Sequence, residues 1–234
     1  MSDITEYNAE RPGGQPANDW PAYASTAKRH PARRPVAMRQ TLTEVTGPTF
    51  TGNWTGPELA DLTKQHPGEP IGERMILTGR ILDEDGRPQP KTLVEIWQAN
   101  AAGRYIHPSD THPAPLDPNF TGRGHVVTND KGEFRFLTIK PGAYPWRNTY
   151  NAWRAQHVHF SVFGPAFATR IVTQMYFPGD PLLDLDPIYN AVPDAAARRR
   201  MISGYDPNLS EAEWALGYRF DIVLRGRHAT PAGM

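Results

Sequence analysis

From Arg74 onward the chain is read as a succession of short apolar runs divided by turn-forming residues. Met75-Ile76-Leu77-Thr78-Gly79-Arg80-Ile81-Leu82 reads as a strand, and Asp83-Glu84-Asp85-Gly86 as the turn that ends it. Leu93–Trp97 is a second strand with partial alternation. His125–Thr128, the turn Asn129-Asp130-Lys131-Gly132 and Glu133–Ile139 together predict a β-hairpin. Three further strands are expected at His157–Phe163, Arg170–Phe177 and Tyr218–Leu224. Helical periodicity is confined to Asp194–Ser203 and a short piece near Pro57–Lys64, with Pro57 in the first turn.

Upstream of about residue 70 this pattern is missing, and Pro12, Pro16, Pro21, Pro31 and Pro35 interrupt any long element. We read 1–70 as an extended arm that wraps its own core or a partner, and 71–234 as a single β-sandwich domain. The fold class expected is mainly β: a β-sandwich core with long irregular loops, few short helices and an extended N-terminal arm. Two connections, Ala99–Gly124 and Pro141–Ala155, are too long for simple hairpins, and long ordered loops on a rigid scaffold often carry function.

Composition supports this picture, with 24 prolines and 20 glycines to shape loops among 234 residues. The absence of cysteine excludes disulfides, thiolate metal sites and cysteine nucleophiles. A formal net charge of zero gives no reason to expect nucleic acid, and Arg198-Arg199-Arg200 is read as one solvated helical patch. No apolar run approaches the length of a membrane-spanning helix, and the polar N-terminus carries no secretory pattern, so a cytoplasmic location is expected.

Within the first of these three further strands lies His157-Val158-His159. Residues i and i+2 of a strand share a face, so both imidazoles can reach one metal ion. Alone, the pair is a weak signal, and a buried histidine bonded to a backbone carbonyl is the commoner reading. Tyr105 and Tyr144 sit in the two long loops and could converge on the same point, although each could be an ordinary packing residue. If all four do converge, the donor set is hard. Phenolate coordination at neutral pH needs a strong Lewis acid, which argues for Fe(III) over zinc or ferrous iron. His107, His112 and His125 are left outside this shell.

Several segments resemble the intradiol ring-cleaving dioxygenases. They are Leu-Val-Glu-Ile-Trp-Gln-Ala-Asn-Ala-Ala-Gly-Arg-Tyr (93–105), Pro-Leu-Asp-Pro-Asn-Phe (115–120), Ile-Lys-Pro-Gly-Ala-Tyr-Pro-Trp-Arg-Asn (139–148), Trp-Arg-Ala-Gln-His-Val-His-Phe (153–160), Thr-Gln-Met-Tyr-Phe (173–177) and Tyr-Arg-Phe-Asp-Ile-Val-Leu-Arg-Gly (218–226). The resemblance implies a non-haem Fe(III) site with Tyr105 and His157 equatorial and Tyr144 and His159 axial. It implies that Tyr144 is displaced when a catechol binds as a dianion, that Arg154 stabilises negative charge on the ring, and that Gln174 lies near the oxygen-binding space. Tyr23, Trp146, Arg147 and Ile188 match substrate-pocket positions. The Pro-broken arm favours the branch acting on protocatechuate and O2 over the branches with helical N-terminal regions. In that branch a related α subunit shares a hetero-oligomer with the iron-bearing chain, which this one resembles. A non-catalytic β-sandwich binding module would share the hairpin-like segment 76–97 but would need none of the Tyr/His set.

Overall fold

β1 (Arg74–Leu82) occupies the middle of the first of two sheets in the computed structural model, which describes residues 10–33, 36, 57–163 and 170–233. On one side β1 pairs antiparallel with β4 (Glu133–Ile139). On the other it pairs in parallel with β10 (Ala215–Arg219) and β11 (Ile222–Val223), and β9 (Gly204–Tyr205) completes that edge beside β10. The second sheet is antiparallel, in the order β3 (Arg123–Val127), β2 (Leu93–Trp97), β7 (His157–Phe163), β8 (Ile171–Tyr176). The two sheets enclose one core. Met75, Leu77, Ile81, Phe134 and Phe136 come from the first sheet and Val94, Ile96, Val158, Phe160, Val162 and Met175 from the second.

Alternation along β7 decides where the chemistry lies. Val158, Phe160 and Val162 enter the core, so His157, His159 and Ser161 point to the opposite face of the second sheet. The same parity puts Trp97 of β2 and Gln174 and Tyr176 of β8 on that outer face. Register aligns Trp97, His159 and Gln174 in one row across three strands, and His157 with Tyr176 in the next. The two long loops and the segment 177–203 cover this face, and Ala155, Tyr176, Tyr189, Val192, Ala197 and Met201 form a second apolar cluster there.

The sandwich agrees with the expectation, but several elements differ. The strands around Asn129–Gly132 do not form a hairpin: β3 pairs with β2, and β4 pairs with β1 in the other sheet. Thr128 explains the crossing, because its backbone N–H and side chain hold it to Thr92 and Gln89, leaving β4 free to place Phe134 and Phe136 in the core. The strand expected at 218–224 is divided into β10 and β11. At the division Asp221 Oδ1 accepts the Arg80 backbone N–H at 2.9 Å, replacing a ladder bond. Gly79 has no room for a side chain there, since a Cβ would stand 1.9 Å from Phe220 O.

The helix expected over 194–203 is shortened to α3 (Ala195–Arg199), capped by Asp194. Beyond it, Met201 O and Ser203 N–H bond the backbone of Tyr176, and the chain becomes a bridge to β8. The three arginines are not one solvated patch. Arg198 donates to Val192 O at 2.6 Å and Arg200 to Ala229 O at 3.1 Å, and of the three only Arg199 is exposed. Near residue 60 the expected short helix is α1 (Pro57–Ala60) followed by a 3-10 turn, Leu62–Lys64. A third short helix, α2 (Pro187–Asn190), starts at Asp186. Within the second long loop a two-stranded sheet joins β5 (Tyr144–Pro145) to β6 (Trp153–Arg154).

Residues 1–9, 34–35 and 37–56 of the expected arm lie outside the described residues. Residues 10–33 rest on the body. Asp194 N–H donates to Gly13 O at 3.0 Å, Ala17 N–H donates to Ala191 O at 2.8 Å, and Gln15 Oε1 receives the Ala232 N–H at 2.8 Å.

Candidate metal centre and its cleft

Two loops deliver the tyrosines to the outer face of the second sheet. The first is organised by Asn100 and Asp110. Asn100 Oδ1 accepts the N–H groups of Ala102 and Arg104, and Asp110 Oδ2 accepts the Tyr105 N–H at 2.8 Å. The second loop crosses the first at glycines. Gly103 has φ 77°, and a Cβ there would lie 2.4 Å from Ala143 O, next to Tyr144. Only glycine satisfies both the left-handed backbone and the close approach.

Three donor atoms meet as a result. His157 Nε2 lies 3.3 Å from Tyr105 Oη and 3.2 Å from His159 Nε2, and His159 Nε2 lies 3.1 Å from Tyr105 Oη. Tyr144 closes the fourth side: its ring is edge-on to Tyr105 at 5.7 Å and tilted to His157 at 5.8 Å. His157 Nδ1 donates to Ala155 O at 2.6 Å, so its Nε2 turns a lone pair towards the other donors. Trp97 stacks on the His159 ring at 4.7 Å and 4°, fixing its plane.

This set fits a metal ion. Bonds of about 2.1 Å meeting near a right angle leave donor atoms about 3 Å apart, close to the separations found. Burial, then Arg154 and His159, hold the His157 imidazole well below its ordinary pKa. Burial and Arg154 lower His159 to about 3. Burial, followed by its neighbour Tyr144, raises Tyr105 well above the ordinary phenol value, and burial raises Tyr144. At neutral pH the imidazoles are therefore unprotonated, ready to donate. The phenols hold their protons until a strong cation displaces them. Among the described residues no three His, Cys, Asp or Glu side chains gather to hold a metal ion, so any such centre here needs the phenols.

Arg154 is the buried cation beside this set. Its Nε donates to Asp186 Oδ2 at 3.0 Å, and its guanidinium donates to Gln174 Oε1 and stands over the Trp146 ring at 5.4 Å. Burial works against its charge, but the Asp186 carboxylate and the surrounding phenols outweigh it and raise its pKa well above the ordinary value. Asp186 is wholly buried. It also receives the N–H groups of Ala155, Ile188 and Tyr189, so it caps α2 and fixes the start of β7 together. Gln174 Oε1 also accepts from Tyr176 Oη at 2.8 Å.

A cleft of about 850 Å³ opens onto Tyr105, Tyr144, His159 and Arg154. Trp146 and Arg147 form its wall, with His107 and His112 further along it. His157 is buried behind the cleft, and His125 lies on β3 outside it. Three expected site residues stand one layer back. Gln174 supports Arg154, Tyr23 is edge-on behind Trp146 at 4.9 Å, and Ile188 is buried on α2. Asp186, Tyr176 and Trp97 were not anticipated. The only sequence signal among them was Asp186-Pro187, an N-cap followed by proline in the first turn.

Known proteins resemble the chain in sequence and in fold. A family profile described as Dioxygenase matches residues 45–226, and one described as Protocatechuate 3,4-dioxygenase beta subunit N terminal matches residues 7–41. The protocatechuate 3,4-dioxygenase beta chain of Burkholderia cepacia is 56% identical over 218 residues, 92% of either chain. The catechol 1,2-dioxygenase of Acinetobacter baylyi is 31% identical over 58% of this chain and 46% of its own. Among solved structures, catechol 1,2-dioxygenase from Acinetobacter sp. ADP1 superposes with a TM-score of 0.52 at 26% identity, covering 71% of this chain and 56% of that one. Sandwich, donor set and sequence together place the chain in the intradiol dioxygenase family, with the protocatechuate 3,4-dioxygenase beta subunits.

Proposed function

We propose that this chain is the iron-bearing β-type subunit of an enzyme that adds both atoms of O2 across the bond between the two hydroxyl-bearing carbons of protocatechuate. The product is 3-carboxy-cis,cis-muconate, an intermediate of aromatic catabolism through the β-ketoadipate pathway. The observation that carries this reading is the meeting of Tyr105 Oη, His157 Nε2 and His159 Nε2 within 3.3 Å beside a buried arginine.

The family uses non-haem iron. Here Tyr105, Tyr144, His157 and His159 would hold it as Fe(III), the state that two phenolates favour. Bound there, ferric iron would supply Lewis-acid chemistry suited to activating a catechol towards O2. The remaining work falls to the protein. Tyr144, which lines the cleft, would take up a substrate proton as the catechol binds. Arg154 holds a fixed positive charge against the ring as negative charge develops there, with no reorganisation at the moment of reaction. Trp146 and Arg147 flank the ring, while Gln174, Tyr23 and Ile188 act from behind by holding Arg154, Trp146 and the Asp186 turn.

The name of the 56%-identical relative, a beta chain, supports an α-type partner. So does the cleft, whose volume of about 850 Å³ far exceeds a single aromatic ring. A related subunit across its mouth would narrow it around the substrate. We place the enzyme in the cytoplasm; among the described residues no helix is long and apolar enough to cross a membrane.

Oxygen uptake with protocatechuate, catechol and hydroxyquinol, with and without a co-expressed α-type chain, tests the assignment. The protein should contain iron, absorb in the visible through tyrosinate-to-iron charge transfer, and turn over protocatechuate fastest. A colourless, iron-free protein inert towards all three catechols would overturn it.

A further inference from the structure

We infer that Asp180 fixes and strengthens His157 as a ligand through the peptide group between Ala155 and Gln156. The inference takes His157 as an iron ligand and so rests on the function proposed above. Asp180 Oδ2 accepts the Gln156 backbone N–H at 2.7 Å. The carbonyl of that same peptide, Ala155 O, accepts from His157 Nδ1 at 2.6 Å. Both contacts are shorter than the roughly 2.9–3.0 Å usual for N–H···O bonds.

The order of groups is carboxylate, peptide N–H, peptide C=O, imidazole N–H. Hydrogen bonds in such a row polarise one another. A negative charge at the N–H end drives electron density towards the carbonyl oxygen and makes it a better acceptor. A stronger hold on Nδ1–H makes Nε2 a better donor and stops the ring from turning. Metal-binding histidines commonly obtain this support from a carboxylate in direct contact. Here one peptide group stands between the two.

Each part of the row is anchored. Asp180 Oδ1 accepts the Leu182 N–H at 2.9 Å, closing the turn that leads into the 3-10 helix Leu183–Leu185. The preceding peptide N–H, that of Ala155, is held by Asp186 at 3.1 Å. The Gln156 side chain donates to Pro141 O at 2.9 Å, tying the row to the loop that carries Tyr144. Asp180 touches none of the four proposed ligands, so it is a positioning residue.

Asp180→Asn separates this role from a structural one. Asparagine keeps one acceptor oxygen, which can serve the Leu182 N–H and close the turn, but it replaces the charged Oδ2 that faces the Gln156 N–H with an uncharged amide group. In the iron-free protein the Nδ1–H proton resonance of His157 is expected to move upfield in Asp180→Asn and to exchange with water several-fold faster. The denaturation midpoint should fall less than in Asp180→Ala, which loses the Leu182 contact as well. After loading with Fe(III), Asp180→Asn should release iron to a chelator up to about tenfold faster, the lower end of outer-shell effects, with a shifted charge-transfer band. An Asp180→Asn protein with the wild-type resonance and wild-type iron release overturns the inference. So does one as unstable as Asp180→Ala whose resonance has not moved. A wild-type chain that takes up no iron contradicts the proposed function instead, and the resonance comparison in iron-free protein still decides the relay.

Discussion

Tyr144 and His157 contribute differently to one donor set, and substitution separates them. His157 is buried, with both ring nitrogens engaged, so His157→Ala removes a donor that nothing nearby replaces. Loss of iron by elemental analysis is the expected result. Tyr144 faces the cleft, and Tyr144→Phe should keep iron on the three remaining donors while slowing the substrate-binding phase in stopped-flow traces. Unchanged traces would show that the hydroxyl takes no proton. Asp186→Ala tests the ion pair. It leaves Arg154 charged and almost wholly enclosed, which costs about 3–5 kcal/mol, readable by chemical denaturation. The His157–His159 pair was legible because a two-residue spacing on a strand puts side chains on one face, whereas the tyrosines, carried on loops, were joined to it by the family resemblance. The reach of Asp180 to Gln156 and of Asp186 to Ala155 and Arg154 was not legible, since these contacts join segments more than 20 residues apart and no local spacing records them.

Elements were legible in proportion to how far their own residues determine them. β1, β2, β7 and β8 announce themselves by apolar content, and turn residues mark where each ends. What turn chemistry does not contain is the destination of the next strand. Asn129-Asp130-Lys131-Gly132 reverses the chain, but Thr128 and the apolar face of β4 send that strand into the other sheet. The parallel partnership of β1 with β10 and β11 was equally hidden, because it joins residues 141 positions apart, as in Arg74 with Ala215. Gly103, at the crossing of the two site loops, and Gly86, in the turn after β1, offer a matched comparison. Both have φ 77°, but a Cβ at Gly103 meets Ala143 O whereas at Gly86 nothing lies within 4 Å. Gly86→Ala should show backbone strain alone. Gly103→Ala should lose about 1–3 kcal/mol more from overpacking and release iron faster, since it parts the Tyr105 loop from the Tyr144 loop. Equal iron release from the two variants would refute that coupling.

For the whole molecule, the centre sets a dependence on pH. In the iron-free protein His159 titrates near 3 and His157 well below its ordinary value, against about 6.5 in an unfolded chain. Below pH 6.5 the unfolded chain therefore binds protons that the folded one refuses, and stability falls as pH falls. The slope is about 1.4 kcal/mol per pH unit for each imidazole. Urea midpoints of iron-free protein should decline from pH 7 to pH 5, a window above the ordinary carboxylate range. A flat profile would show that the folded state accepts those protons.

The position of β1 has a consequence for synthesis. One of its edges is completed by β4, but the other waits for β10, made 141 residues later. At a translation rate of roughly 5–20 residues per second, that edge stays open for about 7–28 s on the ribosome. During that time the nascent chain offers a bare, apolar strand to anything nearby, and a transcript cut short before codon 215 would leave it so permanently.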